Sequence, residues 1–176
     1  LVAGRRLAAF GLTEPGGGSD AGATATRARL DGDEWVIDGA KTFITNSGTD
    51  ITSLITVTAR TEEGISTIVV PAGTPGLVVE PPYRKLGWHA SDTHGLVFED
   101  CRVPADNLLG EPGQGFAYLM KNLQRERLMI AVAAQVAAEQ ALAKTLPYVR
   151  ERRAFGKSIG SFQHNAFKLV ERATEI

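Results

Sequence analysis

Cysteine is almost missing from this 176-residue sequence. Cys101 stands alone, which excludes an internal disulfide and any zinc site built on cysteines. The three histidines, His89, His94 and His164, lack the spacing of metal ligands, so no metal site is expected. Charge of one sign is also lacking. The formal net charge is -1, and the one basic cluster, Arg150, Arg152, Arg153 and Lys157, is too small for the electrostatic footprint that duplex nucleic acid requires. No apolar run approaches the roughly 18 residues that span a bilayer. The most apolar stretch, LMIAVAAQVAA at 128 to 138, is followed by Glu139 and reads as a buried helix. A signal peptide is not expected, because Arg5 and Arg6 lead at once into strand-like sequence.

What is present is a chain with 43% hydrophobic content, enough to bury a core. From Ala8 to about Val103, short β-prone runs alternate with turn residues, the pattern of an antiparallel barrel or sandwich. TATRARL at 24 to 30 alternates, the DGDE turn at 31 to 34 leads into WVIDG, and KTFIT, SLITVTA, STIVVP, GLVVE and HGLVFED follow. After Pro104 the period becomes helical from near Gly113, with Phe116, Leu119, Met120, Leu123, Ile130, Ala134 and Ala138 on three- and four-residue steps. Pro147 should kink or break that helix, since it removes a backbone donor. A Gly-rich bend, FGKSIGS at 155 to 161, precedes a second helix with Ser161 as its N-cap. The fold class is therefore α+β, with a β-domain over 1–110 and the start of a helical-bundle domain over 111–176. The sequence stops at ERATEI in mid-helical pattern without a stop signal, so a continuation is expected on that side.

The segment GLTEPGGGSDAGA at 11 to 23 invites a phosphate-binding reading, and two such readings fail. A P-loop needs Gly-Lys-Ser/Thr after its glycines, where Ser19 and Asp20 stand instead. A dinucleotide fingerprint must open a helix, and residues 24 to 30 alternate like a strand. By composition alone the segment is a plain Gly-rich connection.

The whole string changes this, because Thr13-Glu14-Pro15 followed by Gly18-Ser19-Asp20 resembles the TEPxxGSD signature of the acyl-CoA dehydrogenase family. KTFITNS at 41 to 47, SDTHGLVFEDCRVPADNLLG at 91 to 110, QRERLMIA at 124 to 131 and ERRAFGKSIGSFQ at 151 to 163 recur in that family's order. The resemblance covers essentially the whole sequence. It implies a subunit with an N-terminal helical domain, a middle β-domain and a C-terminal four-helix bundle, with FAD held between sheet and bundle. The N-terminal helices and most of the bundle are expected to be missing from these 176 residues, which should therefore not be active in isolation.

By the same resemblance, Phe10, Leu12, Thr13, Gly18 and Ser19 meet the flavin from the first loop, and Phe43 and Thr45 from a later strand. Glycine allows close backbone approach, and a flavin edge needs hydrogen bonds that tune hydride acceptance. Phe43 stands where many relatives carry Trp; the plain alternative is a core aromatic on a strand. Arg152, Phe155 and Gln163 match a pattern that reaches the ADP half of an FAD bound mainly by a neighbouring subunit, which implies a homo-oligomer, tetramer or dimer. The alternative is a set of cations coating a helix end. Ser19 also serves the thioester end of the substrate. Glu14 and Asp20 read as loop-fixing carboxylates through Asx-type bonds, and His89 and His94 are given no catalytic role.

Dehydrogenation of an acyl-CoA needs a carboxylate to take the α-proton. Most members supply it from a later helix. The long-chain and isovaleryl types carry it in an ERL sequence that matches Glu126-Arg127-Leu128, and the apolar steps put Glu126 and Arg127 on or beside the inward stripe. The resemblance thus makes Glu126 the base and gives Arg127 a substrate-positioning role. Two other placements stay open: a structural ion network of Glu126 with Arg125 or Arg127, and a base outside these residues. The function implied is FAD-dependent α,β-dehydrogenation of an acyl-CoA, with electrons passed to an electron-transfer flavoprotein. The compartment would be the cytoplasm of a bacterium or the mitochondrial matrix of a eukaryote. Acyl-CoA oxidases and flavin monooxygenases of the same fold remain as alternatives, as does a cofactor-free β-barrel assembly module.

Overall fold

The computed structural model describes residues 1–176 and divides into two compact units, Leu1–Met120 and Lys121–Ile176. The first unit is built on seven strands: β1 (Leu7–Gly11), β2 (Arg27–Asp31), β3 (Glu34–Thr45), β4 (Thr52–Thr61), β5 (Gly64–Pro71), β6 (Leu77–Val79) and β7 (Thr93–Pro104). The sheet runs β1-β4-β2-β3-β7-β6, with β5 on β4. Ile37, Ile55, Val57, Ile68, Val70, Leu96, Phe98, Cys101 and Val103 form its buried core, each large side chain contributing about 1.5–3 kcal/mol of transfer free energy. The β-prone runs of the sequence all appear as strands, and WVIDG and KTFIT fuse into the single long β3. The DGDE turn closes a β2–β3 hairpin in which Asp31 faces Glu34 and Gly32 takes φ 66°.

The ladder departs from an all-antiparallel sheet along β4. β1 pairs with β4 in parallel, and β2 touches β4 in parallel at Arg27 and Arg60. A parallel pair needs a crossover of about a dozen residues or more, and residues 12–51 supply it. The chain after β7 returns along β5: Leu109 N–H donates to Thr67 O (2.8 Å) and the Asn107 amide to Val69 O (2.7 Å). That return curls the sheet into a half-barrel.

Helix α1 (Gly115–Glu151) begins in the first unit and continues through the second. Its start is fixed against β5, since a Cβ on Gly115 would lie 2.7 Å from the Ser66 carbonyl carbon. The second unit adds a small hairpin, β8 (Arg153–Ala154) with β9 (Lys157–Ser158), and α2 (Gln163–Glu175). Two sequence expectations change here, those for Pro147 and Ser161. Pro147 lies inside α1 and does not end it; one missing donor near the C-terminal turn is tolerated, and the helix stops at Glu151. The Gly-rich bend at 155 to 161 carries the turn and second strand of the β8–β9 hairpin and precedes α2 as expected. Ser161 does not cap α2, because its hydroxyl donates to Ser158 O (2.7 Å) and the N-cap position is Phe162.

The stretch 128–138 is helical but not buried: Leu128, Met129, Ile130 and Val132 are 64%, 65%, 70% and 55% exposed. α1 is left largely without a partner within these residues. Between α1 and α2 an open apolar groove of about 620 Å³ is lined by Ala131, Ala134, Ala138, Leu142 and Leu169. No helix is long and apolar enough to cross a membrane.

Candidate active site

The segment after β1 is held from below by a buried ion pair. Lys41, with a side chain 0% exposed, donates from Nζ to Glu14 Oε1 (2.7 Å), Thr58 Oγ1 (3.1 Å) and Leu12 O (3.2 Å). Glu14 also accepts the backbone N–H groups of Ala25 (2.6 Å) and Thr26 (2.9 Å). Burial pushes the Glu14 carboxyl up, but these donors outweigh it and bring its pKa down to about 2. Burial likewise pulls the Lys41 ammonium below its ordinary value, with Glu14 opposing. Glu14 is thus loop-fixing as expected, although its partners are distant backbone and a lysine rather than a local Asx-type turn.

Glu14 and Gly17 exchange backbone hydrogen bonds (3.0 and 3.1 Å), which turns Pro15 and Gly16 outward. Arg60 pins the far side of the loop, donating to Thr24 O (3.1 Å) and Gly22 O (3.0 Å). A Cβ on Gly18 would approach Thr13 Cγ2 at 3.1 Å, whereas Gly16 and Gly17 have nothing within 4 Å. The chain's own packing therefore does not account for those two missing side chains. Ser19 and Asp20 are exposed beside them.

β3 comes alongside this segment. Thr42 N–H donates to Thr13 O (2.8 Å), which places Phe43 next to the loop. The β3–β7 register shifts between Lys41 and Ile44, and Phe43 takes φ 60°. An aromatic residue in the left-handed region is strained by about 1–3 kcal/mol. Phe43 is also 65% exposed, so it is not a core aromatic. Its ring lies 5.2 Å from that of Tyr83, centroid to centroid. Phe10 is 45% exposed on β1, Leu12 and Thr13 are half-buried, and Thr45 is exposed at the end of β3. The structure thus brings Leu12, Thr13, Gly18 and Phe43 into one neighbourhood, with Lys41 beneath it.

In the second unit, Phe155 and Gly156 form the two-residue turn of the β8–β9 hairpin with φ 52° and 78°. Such turns favour Asn-Gly. Phe155 is instead an aromatic, 94% exposed, with its ring edge-on to Phe162 at 6.2 Å. Arg152 and Gln163 are exposed, and Arg152 O accepts from Ile159 N–H (2.8 Å). Glu126 and Arg127 are exposed on α1 rather than turned to a covered stripe, because nothing in these residues covers that face. Glu126 makes no salt bridge to Arg125 or Arg127; the unit's ion pairs join Lys168 to Glu171 and Arg172 to Glu175. Both histidines given no catalytic role have structural partners. His89 Nε2 meets Lys85 O (2.8 Å), and buried His94 meets Glu80 O and Asp92 Oδ1 (both 2.6 Å).

Lys41, Arg60 and Tyr83 were not singled out by the sequence. Only Lys41 carried a signal: a cation between two apolar β-runs must find a buried partner.

A family model described as "Acyl-CoA dehydrogenase, middle domain" matches residues 9–101, and one described as "Acyl-CoA dehydrogenase, C-terminal domain" matches residues 113–176. Among curated proteins, "Probable acyl-CoA dehydrogenase YngJ" of Bacillus subtilis is 46% identical over all of this chain and 47% of its own length. The mitochondrial short-chain specific acyl-CoA dehydrogenase of Rattus norvegicus is 44% identical over 97% of this chain and 42% of its own. The chain thus spans about half the length of these relatives. Among solved structures, an acyl-CoA dehydrogenase from Geobacillus kaustophilus superposes with a TM-score of 0.93 at 47% identity, over 99% of this chain and 47% of that one.

Proposed function

This chain belongs to the acyl-CoA dehydrogenase family, and on that premise we propose that the complete protein is an FAD-dependent enzyme forming 2-enoyl-CoA from an acyl-CoA thioester. The observation that carries the reading is Phe43: an exposed aromatic held in a left-handed conformation, one residue from the backbone bond to Thr13. Exposure removes its use as a core residue, and strain at an exposed aromatic points to a ligand face. The open space around Gly16 and Gly17 and the hydroxyls of Thr13, Ser19 and Thr45 fit the edge of a planar, acceptor-rich ring. Phe155, exposed and left-handed in its own turn, supports a second contact region with Arg152 and Gln163 on the ADP half of an FAD from a neighbouring subunit. A homo-oligomer is part of the proposal for that reason.

FAD, when bound, supplies the hydride acceptor for the β-carbon. The residues of the chain do the rest. Glu126 takes the α-proton onto its carboxylate, and the electrons of the broken Cα–H bond become the second bond of the enoyl product. Arg127 and Ser19 orient the thioester, since a small misplacement of the reacting atoms costs orders of magnitude in rate. Leu12, Thr13 and Gly18 hold the ring edge with backbone groups fixed by Lys41 and Glu14. An electron-transfer flavoprotein then accepts the electrons.

The test is the purified complete protein. It should carry FAD, lose its visible flavin absorbance when an acyl-CoA is added without oxygen, and recover it slowly in air. Absence of flavin, with no uptake of added FAD, would overturn the reading. Rapid reoxidation with release of peroxide would make the protein an oxidase.

A further inference from the structure

Phe43 needs a support that its own burial does not give. It sits at a register shift of the β3–β7 ladder, its φ is 60°, and 65% of its surface is open to solvent. A left-handed aromatic persists only where neighbours over-determine it. Tyr83 is that neighbour. The two rings are tilted by 42° with centroids 5.2 Å apart, a favourable aromatic geometry.

Tyr83 is itself anchored at both ends. Its N–H donates to Thr93 O (3.0 Å), at the first residue of β7. Its hydroxyl shares a hydrogen bond of 2.7 Å with Thr42 Oγ1, on the residue just before Phe43. Thr42 in turn donates its N–H to Thr13 O. The segment that carries Tyr83 is tied down besides, by Glu80 N–H to Gly95 O (3.0 Å) and by Lys85 Nζ to Thr93 Oγ1 (3.0 Å). One side chain therefore touches the ring of Phe43 and fixes the peptide that leads into it.

We propose that Tyr83 is a positioning residue: it sets the ring of Phe43 against the flavin through the Phe43–Tyr83 ring contact and the Tyr83–Thr42 hydrogen bond. This rests on the proposed FAD site. Tyr83 does not touch the cofactor and acts through Phe43.

The test uses the complete protein with FAD bound and three variants: Tyr83→Leu, Tyr83→Phe and Thr42→Val. The readouts are the visible circular dichroism of the bound flavin, its dissociation constant and the melting temperature. Y83L should alter the flavin dichroism and weaken FAD binding about tenfold, the order of one aromatic contact. Y83F and T42V should shift the dichroism in the same direction by less, with melting temperatures near that of the parent. A Y83L protein that binds FAD with unchanged dichroism and affinity overturns the role of Tyr83 alone. If Y83L does not fold, unchanged dichroism in both Y83F and T42V overturns it. A flavin-independent arm separates the two claims. In a flavin-free background carrying W35F, W88F and F43W, where the indole at position 43 is the only one within these residues, Y83L should lower its emission anisotropy, and an unchanged anisotropy counts against Tyr83 whether or not FAD binds. Failure of the parent protein to take up FAD is a failure of the functional reading instead.

Discussion

Lys41 takes its charge into the protein interior, so its partners decide whether the site holds. Removing one member of such a pair leaves the other charge buried and uncompensated, which costs about 3–5 kcal/mol. Glu14→Gln should therefore lower unfolding stability by about that amount in urea titration, and the Glu14→Gln/Lys41→Met double variant should recover a large share of it. A double variant no more stable than the single one would show that the charge pairing is not what matters. His94 makes a separate residue-scale case. Its two ring nitrogens face only acceptors, Glu80 O and an Asp92 carboxylate oxygen, so the imidazolium is the favoured form. Burial opposes that charge, but the Glu80 carbonyl and Asp92 outweigh it and raise the pKa above the ordinary 6.5. The stabilisation is fully present below the unfolded-state value and is lost as pH rises through the higher folded value. The His94 ring should titrate above 6.5 by NMR, with the melting temperature falling over that same interval; titration at or below 6.5 would contradict the clasp.

Most elements were legible in the sequence, because their signals are local. Ile55, Val57 and Ala59 alternate along β4 and all reach the core, and the DGDE turn announces its hairpin. The misses come from context. Pro147 reads as a breaker, yet a donor lost close to a helix's end costs little of the ladder. The FGKS bend gives no hairpin signal, because Phe is not a residue that turn chemistry assigns to a left-handed position. That mismatch is informative about the element. Phe155→Asn should relieve the strain and stabilise the β8–β9 hairpin by about 1 kcal/mol, read as a higher melting temperature. The same substitution should weaken FAD binding by the complete protein. A variant that is both less stable and unchanged in FAD affinity would return Phe155 to a structural role through Phe162.

At the scale of the whole molecule, motif order offers candidate residues for the site but says nothing of what supports them. The loop glycines, Phe43 and Phe155 were found through motif order. The frame beneath the loop and Phe43, made of Lys41, Arg60 and Tyr83, joins segments up to 41 residues apart in sequence, and no local period reveals such pairs. Glu126 is the opposite case. Its assignment rests on the ERL match at 126 to 128, while α1 leaves it exposed and free of salt bridges to Arg125 and Arg127. The absence of those pairs speaks against a structural ion network, and the catalytic role of Glu126 remains a proposal carried by the ERL match.

The most direct measurement is anaerobic reduction of the complete protein by an acyl-CoA, compared between the parent and Glu126→Gln. The amide keeps the size of the side chain and cannot accept the α-proton. FAD content should be the same in both, and bleaching of the flavin should be lost in the variant. A Glu126→Gln protein that holds FAD and is bleached at the parent's rate would contradict the account and move the base elsewhere in the protein.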